Sequence, residues 1–300
     1  MLTLKKIIFA TDFSDCAVHA QIYAFAFASR FKAELHIAHA VDTTYPAYAG
    51  VYGFGAEVEH HIGEVKKQAL QDLAAVTTAA RDAGLTAHTH LLIGRPAEAI
   101  VDEAQKLDCE LIITGTHGRS AVDHFLFGSN AEQIVRYSPV PVLAIKPRER
   151  EFVSNSGKFT LKRVLCPCDL SPLTEEAAGF AAEVCRIFGA ELTLLHVIDN
   201  RLEYPLVMPD AAIFDPEKIR SVATERLNAI AAKLKGVKVK VEVITGIPDK
   251  LIAQAAKDRS ADLIVMTTHG RGGLSRALLG STAEKIVRIT TVPTLTIRPK

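Results

Sequence analysis

Two loops of the sequence carry glycine, threonine and histidine in a pattern that suits the binding of an anion. Residues 115–118 read Gly-Thr-His-Gly, and after nine more residues comes Gly128-Ser129. Residues 267–270 read Thr-Thr-His-Gly, and the same interval leads to Gly280-Ser281. Each loop follows a short apolar run and precedes a helical pattern. Backbone N–H groups in such a loop and at the helix N-terminus can converge on a phosphate.

A purely structural interpretation competes with the anion site. Ser129 and Glu132 have the spacing of a capping box, with the serine as N-cap, and Ser281 and Glu284 repeat it. The capping box explains the serines and the glutamates, and its carboxylate would oppose a phosphate. It does not explain the glycines, which suggest a close approach of the backbone or a positive φ. The residues alone leave both interpretations open.

The sequence around these loops contains an internal repeat. Residues 12–14 (Asp-Phe-Ser) match residues 169–171 (Asp-Leu-Ser) at an offset of 157. Residues 116–147 match residues 268–299 at an offset of 152, with 17 of 32 positions identical. A repeat of this length indicates two copies of one domain.

Each copy alternates apolar strands with helical patterns. The first copy predicts strands over residues 6–10, 35–41, 88–93, 111–114 and 142–145. Ser14 is suited to cap the first helix and Pro96 to begin the third. Apolar strands that alternate with helices require a parallel sheet covered on both faces. The fold class is therefore α/β: two tandem doubly wound, Rossmann-like domains, each with a five-stranded parallel sheet and helices on both faces. We place the domains at residues 1–147 and 161–300, with a polar linker over residues 148–160.

The amino-acid composition limits the kinds of partner that we expect for this protein. The 35 basic and 34 acidic residues give a net charge of +1, so we expect no nucleic acid partner. No apolar stretch approaches the ~18 residues of a membrane span, and the N-terminus has no signal-peptide pattern. We therefore expect no membrane partner and a cytoplasmic location.

The five cysteines are odd in number and do not suggest a disulfide framework. Cys166 and Cys168 are close in sequence and would share one face of a strand. They are either small buried residues or a redox or metal pair.

The pattern Gly-x2-Gly-x9-Gly-Ser that starts at Gly115 resembles the nucleotide-binding signature of the universal stress protein family. Three other features are similar: Asp12 after the first strand, residues 39–42 (His-Ala-Val-Asp) at the end of the second, and residues 139–141 (Pro-Val-Pro) before the fifth. The resemblance covers nearly the whole chain as two tandem copies.

The resemblance implies a role for particular residues. Asp12 and Asp169 would lie by the adenine or ribose, and Ala40 and Val197 would contact adenine through their backbones. The ribose and phosphates would be lined by the loop residues and their neighbours: Gly115, Gly118, Arg119, Gly128, Ser129 and Asn130 in the first copy, and Gly270, Arg271, Gly272, Gly280, Ser281 and Thr282 in the second.

The two copies differ in two respects, and each difference favours a different copy as the better nucleotide-binding site. Thr267 replaces the first glycine of the pattern, and its Cβ would crowd a ribose or be tolerated. The first loop has Arg119 and an aspartate, whereas the second has two arginines and no acid, which polyphosphate would prefer. The sequence leaves open which copy binds better.

The resemblance implies a regulatory protein of the stress response that binds ATP, with Mg²⁺ to offset the charge. The chain lacks a Gly-x4-Gly-Lys-Ser/Thr P-loop and an evident catalytic base, so we expect no catalysis, or only slow hydrolysis. One alternative is a scaffold that works without nucleotide, and another is an ATP-hydrolysing enzyme of a related fold. The resemblance also implies a homodimer, with the two domains forming a pseudo-dimer within the chain.

Overall fold

A computed structural model of the protein describes residues 2–42, 55–116, 128–146, 151–201, 215–268 and 280–298. The chain divides into two compact units, which we call the first and second domain. Each domain contains a five-stranded parallel sheet, so the predicted α/β fold class is confirmed.

The elements of the first domain follow the predicted order. They are β1 (Lys6–Ala10), α1 (Asp15–Phe31), β2 (Glu34–Val41), α2 (Gly55–Asp82), β3 (Ala87–Ile93), α3 (Pro96–Lys106), β4 (Leu111–Gly115), α4 (Ser129–Tyr137) and β5 (Val142–Ile145). The strands lie in the order β3-β2-β1-β4-β5.

The second domain repeats this arrangement. Its elements are β6 (Arg163–Pro167), α5 (Leu173–Phe188), β7 (Glu191–Asp199), α6 (Pro216–Lys233), β8 (Val239–Gly246), α7 (Pro248–Asp258), β9 (Leu263–Thr267), α8 (Ser281–Ile289) and β10 (Thr294–Ile297). Its strands lie in the order β8-β7-β6-β9-β10.

The strand order reverses between β1 and β4 in the first domain, and between β6 and β9 in the second. In the first domain Ala10 pairs with Ala38 of β2 and with Thr114 of β4. The strands are parallel, so their carboxyl ends meet at one edge of the sheet. A reversal of strand order opens a crevice there, which is where doubly wound folds bind ligands.

The central strands form the core of each domain. Ile7, Ile8 and Phe9 are completely buried in β1, as are Ile112 and Ile113 in β4. Adjacent residues of a strand point to opposite faces, so consecutive buried residues show that the sheet is covered on both sides. Each such side chain contributes roughly 1.5–3 kcal/mol through burial, and this rigid core holds the strand ends in place.

The segment predicted as a polar linker contains a tight turn with apolar flanks. The N–H of Ser154 donates to the carbonyl of Lys158 at 3.0 Å, and the N–H of Thr160 to that of Phe152 at 2.8 Å. Phe152 is fully buried, and the ring of Phe159 lies 4.7 Å from that of Phe188. The bounds of the linker stay a prediction.

Within the described ranges, no helix is both long and apolar enough to cross a membrane.

Candidate functional site

The loop after β1 is a tight turn built on Asp12. Its Oδ1 accepts hydrogen bonds from the backbone N–H of Ser14 at 3.1 Å and from the Ser14 hydroxyl at 2.6 Å. Asp169 makes the same two bonds with Ser171, at 3.0 and 2.6 Å. Aspartate is suited to this turn because its short side chain reaches the backbone two residues on.

Both turns hold a bulky residue in the left-handed region. Phe13 has φ +61° and Leu170 has φ +60°. A side chain larger than glycine in this conformation costs of order 1–3 kcal/mol and persists only where the surroundings enforce it. The same strain in both copies shows that the turn after the aspartate has one defined shape.

A histidine near the end of the second strand fixes each turn. Nδ1 of His39 lies 2.7 Å from the carbonyl oxygen of Thr11, and Nδ1 of His196 lies 2.7 Å from that of Cys168. A carbonyl oxygen only accepts, so each Nδ1 carries a proton and donates it. The bond ties the end of the strand to the residue before the aspartate.

Sequence patterns alone do not reveal this anchoring role, although the repeat contains a signal for it. His39 and His196 are related by the offset of 157 that also relates the two aspartates. Each histidine precedes the residue predicted to contact adenine, Ala40 or Val197. The bond therefore positions two parts of the candidate site at once.

In each domain, a hydrogen bond joins the two ends of the long loop that precedes α4 or α8. The N–H of Gly128 donates to the carbonyl of Thr116 at 2.6 Å, and the N–H of Thr116 to that of Ile145 at the end of β5, at 3.0 Å. In the second domain, Gly280 bonds to Thr268 at 2.7 Å, and Thr268 to Ile297 at 3.0 Å. The helix that follows is thereby anchored beside the carboxyl end of the sheet.

The capping-box prediction is wrong. The N-caps of α4 and α8 are Gly128 and Gly280, and a glycine has no side chain with which to cap a helix. Ser129 is the first helical residue because Gly128, bonded to Thr116, keeps an extended conformation with φ −64° and ψ 136°. Glu132 instead forms an ion pair with Arg136 at 3.1 Å, one turn further along.

A glycine N-cap favours the anion interpretation of the loop. The N-cap of α4 is a glycine and offers the first N–H groups of the helix no side-chain acceptor, and the Glu132 carboxylate is paired with Arg136. The electrostatic objection to an anion at this helix start is therefore weaker. The φ of Gly128 and that of Gly280 (−58°) suit any residue, so a positive φ does not explain these two glycines.

Gly115 is explained by packing. A Cβ at this position would lie 3.0 Å from the carbonyl carbon, the carbonyl oxygen and the Sγ of Cys16 in α1. The second domain has Thr267 here and a different helix start: α5 begins at Leu173, after Pro172 as N-cap, whereas α1 begins at Asp15 after Ser14. The residue aligned with Asp15 is Pro172, so the second helix starts one residue later.

The fold brings the described candidate residues of each domain to one edge. Asp12, Ala40 and Gly115 follow or end the neighbouring strands β1, β2 and β4, and α4 begins beside β5. Asp169 and Val197 occupy the same places at β6 and β7. Ser129 and Asn130 are exposed at the start of α4, and Thr282 is half-buried in α8. Five candidates lie outside the described residues: Gly118, Arg119, Gly270, Arg271 and Gly272.

The cysteines are buried thiols. Sγ of Cys168 lies 3.3 Å from the carbonyl oxygen of Cys166, and both side chains are buried. The hydrogen bond with Cys168, together with burial, raises the pKa of the Cys166 thiol well above its usual value. A protonated thiol is a poor nucleophile and a poor metal ligand. Among the described residues, no group of three or more His, Cys, Asp or Glu side chains is arranged to hold a metal ion.

Comparison with known proteins identifies the family. The family model described as the Universal stress protein family matches residues 3–146 and, a second time, residues 160–298. The chain belongs to the universal stress protein family.

Relatives of this universal stress protein occur as single and as double domains. A universal stress protein of Methanocaldococcus jannaschii is 34% identical over 159 residues, which cover 52% of this chain and 94% of that protein. One from Synechocystis is 24% identical over 314 residues, 98% of this chain and 100% of that protein. A crystal structure of a universal stress protein from Archaeoglobus fulgidus shares the fold, with a TM-score of 0.71 and 24% identity over 99% of this chain and 97% of that one.

Proposed function

We propose that this universal stress protein binds ATP, or a related adenine nucleotide, at the carboxyl ends of the strands and acts as a regulatory module. The observation that carries the proposal is the meeting of two features at one edge of the sheet. One is the Asp12 turn, fixed by His39, and the other is the start of α4, whose N-cap is a glycine with no side chain to satisfy the first N–H groups.

The Asp12 turn suits a ribose. Oδ1 of Asp12 is used by Ser14, and Oδ2 accepts no hydrogen bond from the residues that the structure describes. Asp12 is half-buried and lies at the edge of the sheet rather than in its core. A carboxylate oxygen accepts hydrogen bonds from hydroxyl groups, and these bonds are stronger than those between neutral groups. We assign Asp12 and Asp169 to ribose hydroxyls.

The start of α4 suits a phosphate. The first N–H groups of a helix have no partner within the helix and carry a partial positive charge. Ser129 and Asn130 are exposed there and add polar side chains to the backbone donors. Arg119 and Arg271, in the adjoining loops, would add positive charge. Mg²⁺ would enter with the nucleotide, held largely by phosphate oxygens and water, because Mg²⁺ dehydrates reluctantly.

A binding role fits the residues better than catalysis. The sequence lacks the P-loop lysine that bridges phosphates in many ATPases. The aspartate in each turn is engaged by a serine hydroxyl at 2.6 Å, which is unfavourable for a general base. The module would respond to nucleotide by becoming more stable or by changing its contacts with a partner. A homodimer and a cytoplasmic location stay predictions, and light scattering of the pure chain measures the first.

The direct test is to purify the chain, denature it and look for released nucleotide by chromatography. The stripped protein is then melted with and without Mg-ATP. A ligand at 100 times its Kd stabilises a protein by about 2.7 kcal/mol, which shifts the melting temperature measurably. Released adenine nucleotide or a saturable shift supports the proposal. If neither is found for a folded chain, the protein is a scaffold that works without nucleotide.

A further inference from the structure

A cluster of histidines lies on one face of the first domain, away from the carboxyl edge of the sheet. We define the histidine cluster as His36 on β2, His88 and His90 on β3, and the carboxylates of Glu34 and Glu103. His36 and His88 are register partners, and their rings stack with centroids 5.1 Å apart. Glu103 belongs to α3. The opposite face of β3 is turned to α2, where the hydroxyls of Thr77 and Thr89 lie 2.8 Å apart.

Hydrogen bonds join three members of the cluster in a chain. Nδ1 of His90 lies 3.0 Å from Oε1 of Glu103, and Nε2 of His90 lies 3.0 Å from Nδ1 of His36. The carboxylate only accepts, so Nδ1 of His90 carries a proton. Nε2 of a neutral His90 then accepts the proton on Nδ1 of His36. Nε2 of a neutral His36 is left as a lone pair.

The interior position of His36 opposes a positive charge. Its side chain is 7% exposed, and its Nε2 is buried without a hydrogen-bond partner, 3.8 Å from Oε2 of Glu34. Protonation of both His36 and His90 would set two N–H groups against each other, because Nδ1 of His36 and Nε2 of His90 face each other at 3.0 Å. Burial, followed by the nearby His90 and His88, lowers the pKa of His36 to about 4. Burial also lowers the pKa of His90, against the opposing effect of Glu103.

Charged and titratable groups face the two histidines from every neighbouring element. They are Lys6 on β1, Glu34 on β2, His88 on β3, and Glu103 and Lys106 on α3. Glu34 and Glu103 favour protonation of the histidines, whereas the lysines and His88 disfavour it. For both His36 and His90, burial is the largest effect and the neutral form prevails.

The second domain carries permanent charges at the equivalent places. The partner pair His36 and His88 is replaced by Thr193 and Lys240, and Lys240 lies 3.2 Å from Glu191. Glu242 stands in place of His90 and pairs with Arg259. Lysine and arginine keep their charge from neutral to acid pH, so these pairs do not lose their cation there.

We propose that the histidine cluster makes the region of β2, β3 and α3 an acid-sensitive part of the first domain: its local opening becomes more favourable below about pH 6.5, whereas that of the second domain does not. Opening exposes His36 and His90 to water, where they take up the protons that the closed region excludes. Because β2 also carries His39 and Ala40, acid would loosen the strand that forms one side of the edge described above.

The lowered pKa values determine whether acid favours or opposes opening of the region. Well above pH 6.5, His36 and His90 are neutral in both the closed and the open region, so pH has little effect on opening. Between pH 6.5 and about 4 only the open region binds the proton of His36, and opening becomes more favourable as pH falls. From pH 7 to pH 5, His36 alone raises the opening equilibrium about 20-fold.

The test is hydrogen exchange of the full chain at pH 7 and pH 5, followed by mass spectrometry of peptides and corrected for the intrinsic exchange rate. We expect about 20-fold less protection at pH 5 in peptides from β2 and β3, and no comparable change in those from β7 and β8. Equal changes in the two domains, or no change in the first, would overturn the proposal.

Two variants test whether the histidine cluster causes the pH dependence of hydrogen exchange in β2 and β3. His36→Thr installs the residue of the second domain and should remove most of the pH dependence from β2 and β3. The control is His60→Gln on α2, whose histidine side chain is 79% exposed and should leave the pH dependence as it is. If His36→Thr does not fold at pH 7, His90→Gln takes its place. A folded cluster variant that keeps the full pH dependence contradicts the proposal.

Discussion

Nδ1 of His39 donates a hydrogen bond to the carbonyl oxygen of Thr11 at 2.7 Å, and this bond connects the end of β2 to the turn after β1. His196 and Cys168 make the same contact in the second domain. The bond crosses 28 residues of sequence and sets the place of the aspartate that follows. The shape of each candidate site therefore depends on a histidine that need not touch the ligand.

Replacing His39 tests this anchoring role. His39→Ala leaves the part-buried carbonyl of Thr11 without its donor, which should lower the free energy of unfolding by about 1–2 kcal/mol. His39→Asn keeps an N–H donor on a short side chain and should lose less. Urea unfolding of nucleotide-free protein measures both. If the alanine variant is as stable as the parent, the bond does not hold the turn.

Two substitutions of Asp12 distinguish the contribution of the turn to ATP binding from that of the carboxylate charge. Asp12→Asn keeps an oxygen that can accept from Ser14, whereas Asp12→Ala removes both hydrogen bonds of the turn. We expect the first-domain site of the alanine variant to bind ATP at least ~10-fold more weakly, which is about 1.4 kcal/mol, and that of the asparagine variant to lose less. Titration calorimetry gives the two dissociation constants. Unchanged binding by Asp12→Ala would remove this residue from the site.

Gly115 should not tolerate a methyl group. In Gly115→Ala the new Cβ meets backbone atoms of Cys16 at 3.0 Å, and backbone gives way less easily than a flexible side chain. We expect a loss of about 1–3 kcal/mol in the free energy of unfolding. Gly63→Ala is the matched control, because Gly63 is exposed within α2 and its Cβ would meet nothing within 4 Å. That variant should be about 0.5–1 kcal/mol more stable. Equal effects of the two changes would refute the packing explanation.

The corrected helix start predicts unequal roles for two serines. Ser14 is the N-cap of α1, and its Oγ accepts the N–H of Ala17 at 3.3 Å. Ser14→Ala should therefore cost about 1 kcal/mol of stability. Ser129→Ala should cost less than about 0.5 kcal/mol, because Ser129 is the first helical residue and makes no cap bond. Thermal unfolding without nucleotide distinguishes the two, and a cost of 1 kcal/mol at Ser129 would restore the capping box.

Much of the fold could be predicted because its signals are local. The predicted strand at residues 142–145 is the observed β5, and the predicted strand at residues 88–93 begins one residue later than β3. Apolar runs and helix-start residues act over a few positions. The capping box failed because a bond from Gly128 to Thr116, across the long loop, decides where α4 begins.

The candidate site and the histidine cluster depend on contacts that the sequence does not display. His36 and His90 meet across 54 residues only because β2 pairs with β3 in one register. The family resemblance drew attention to Asp12, but the role of His39 emerged only from the position of the Thr11 carbonyl. The polar composition of the linker concealed Phe152, which is completely buried.

Calorimetric titration of nucleotide-free protein with Mg-ATP tests the proposed function most directly, with the parent chain and the double variant Asp12→Ala, Asp169→Ala measured side by side. We expect saturable binding by the parent, and binding at least ~10-fold weaker by a folded double variant. A parent chain that is folded yet gives no binding, or a double variant that binds as tightly as the parent, would contradict nucleotide binding at the aspartate turns.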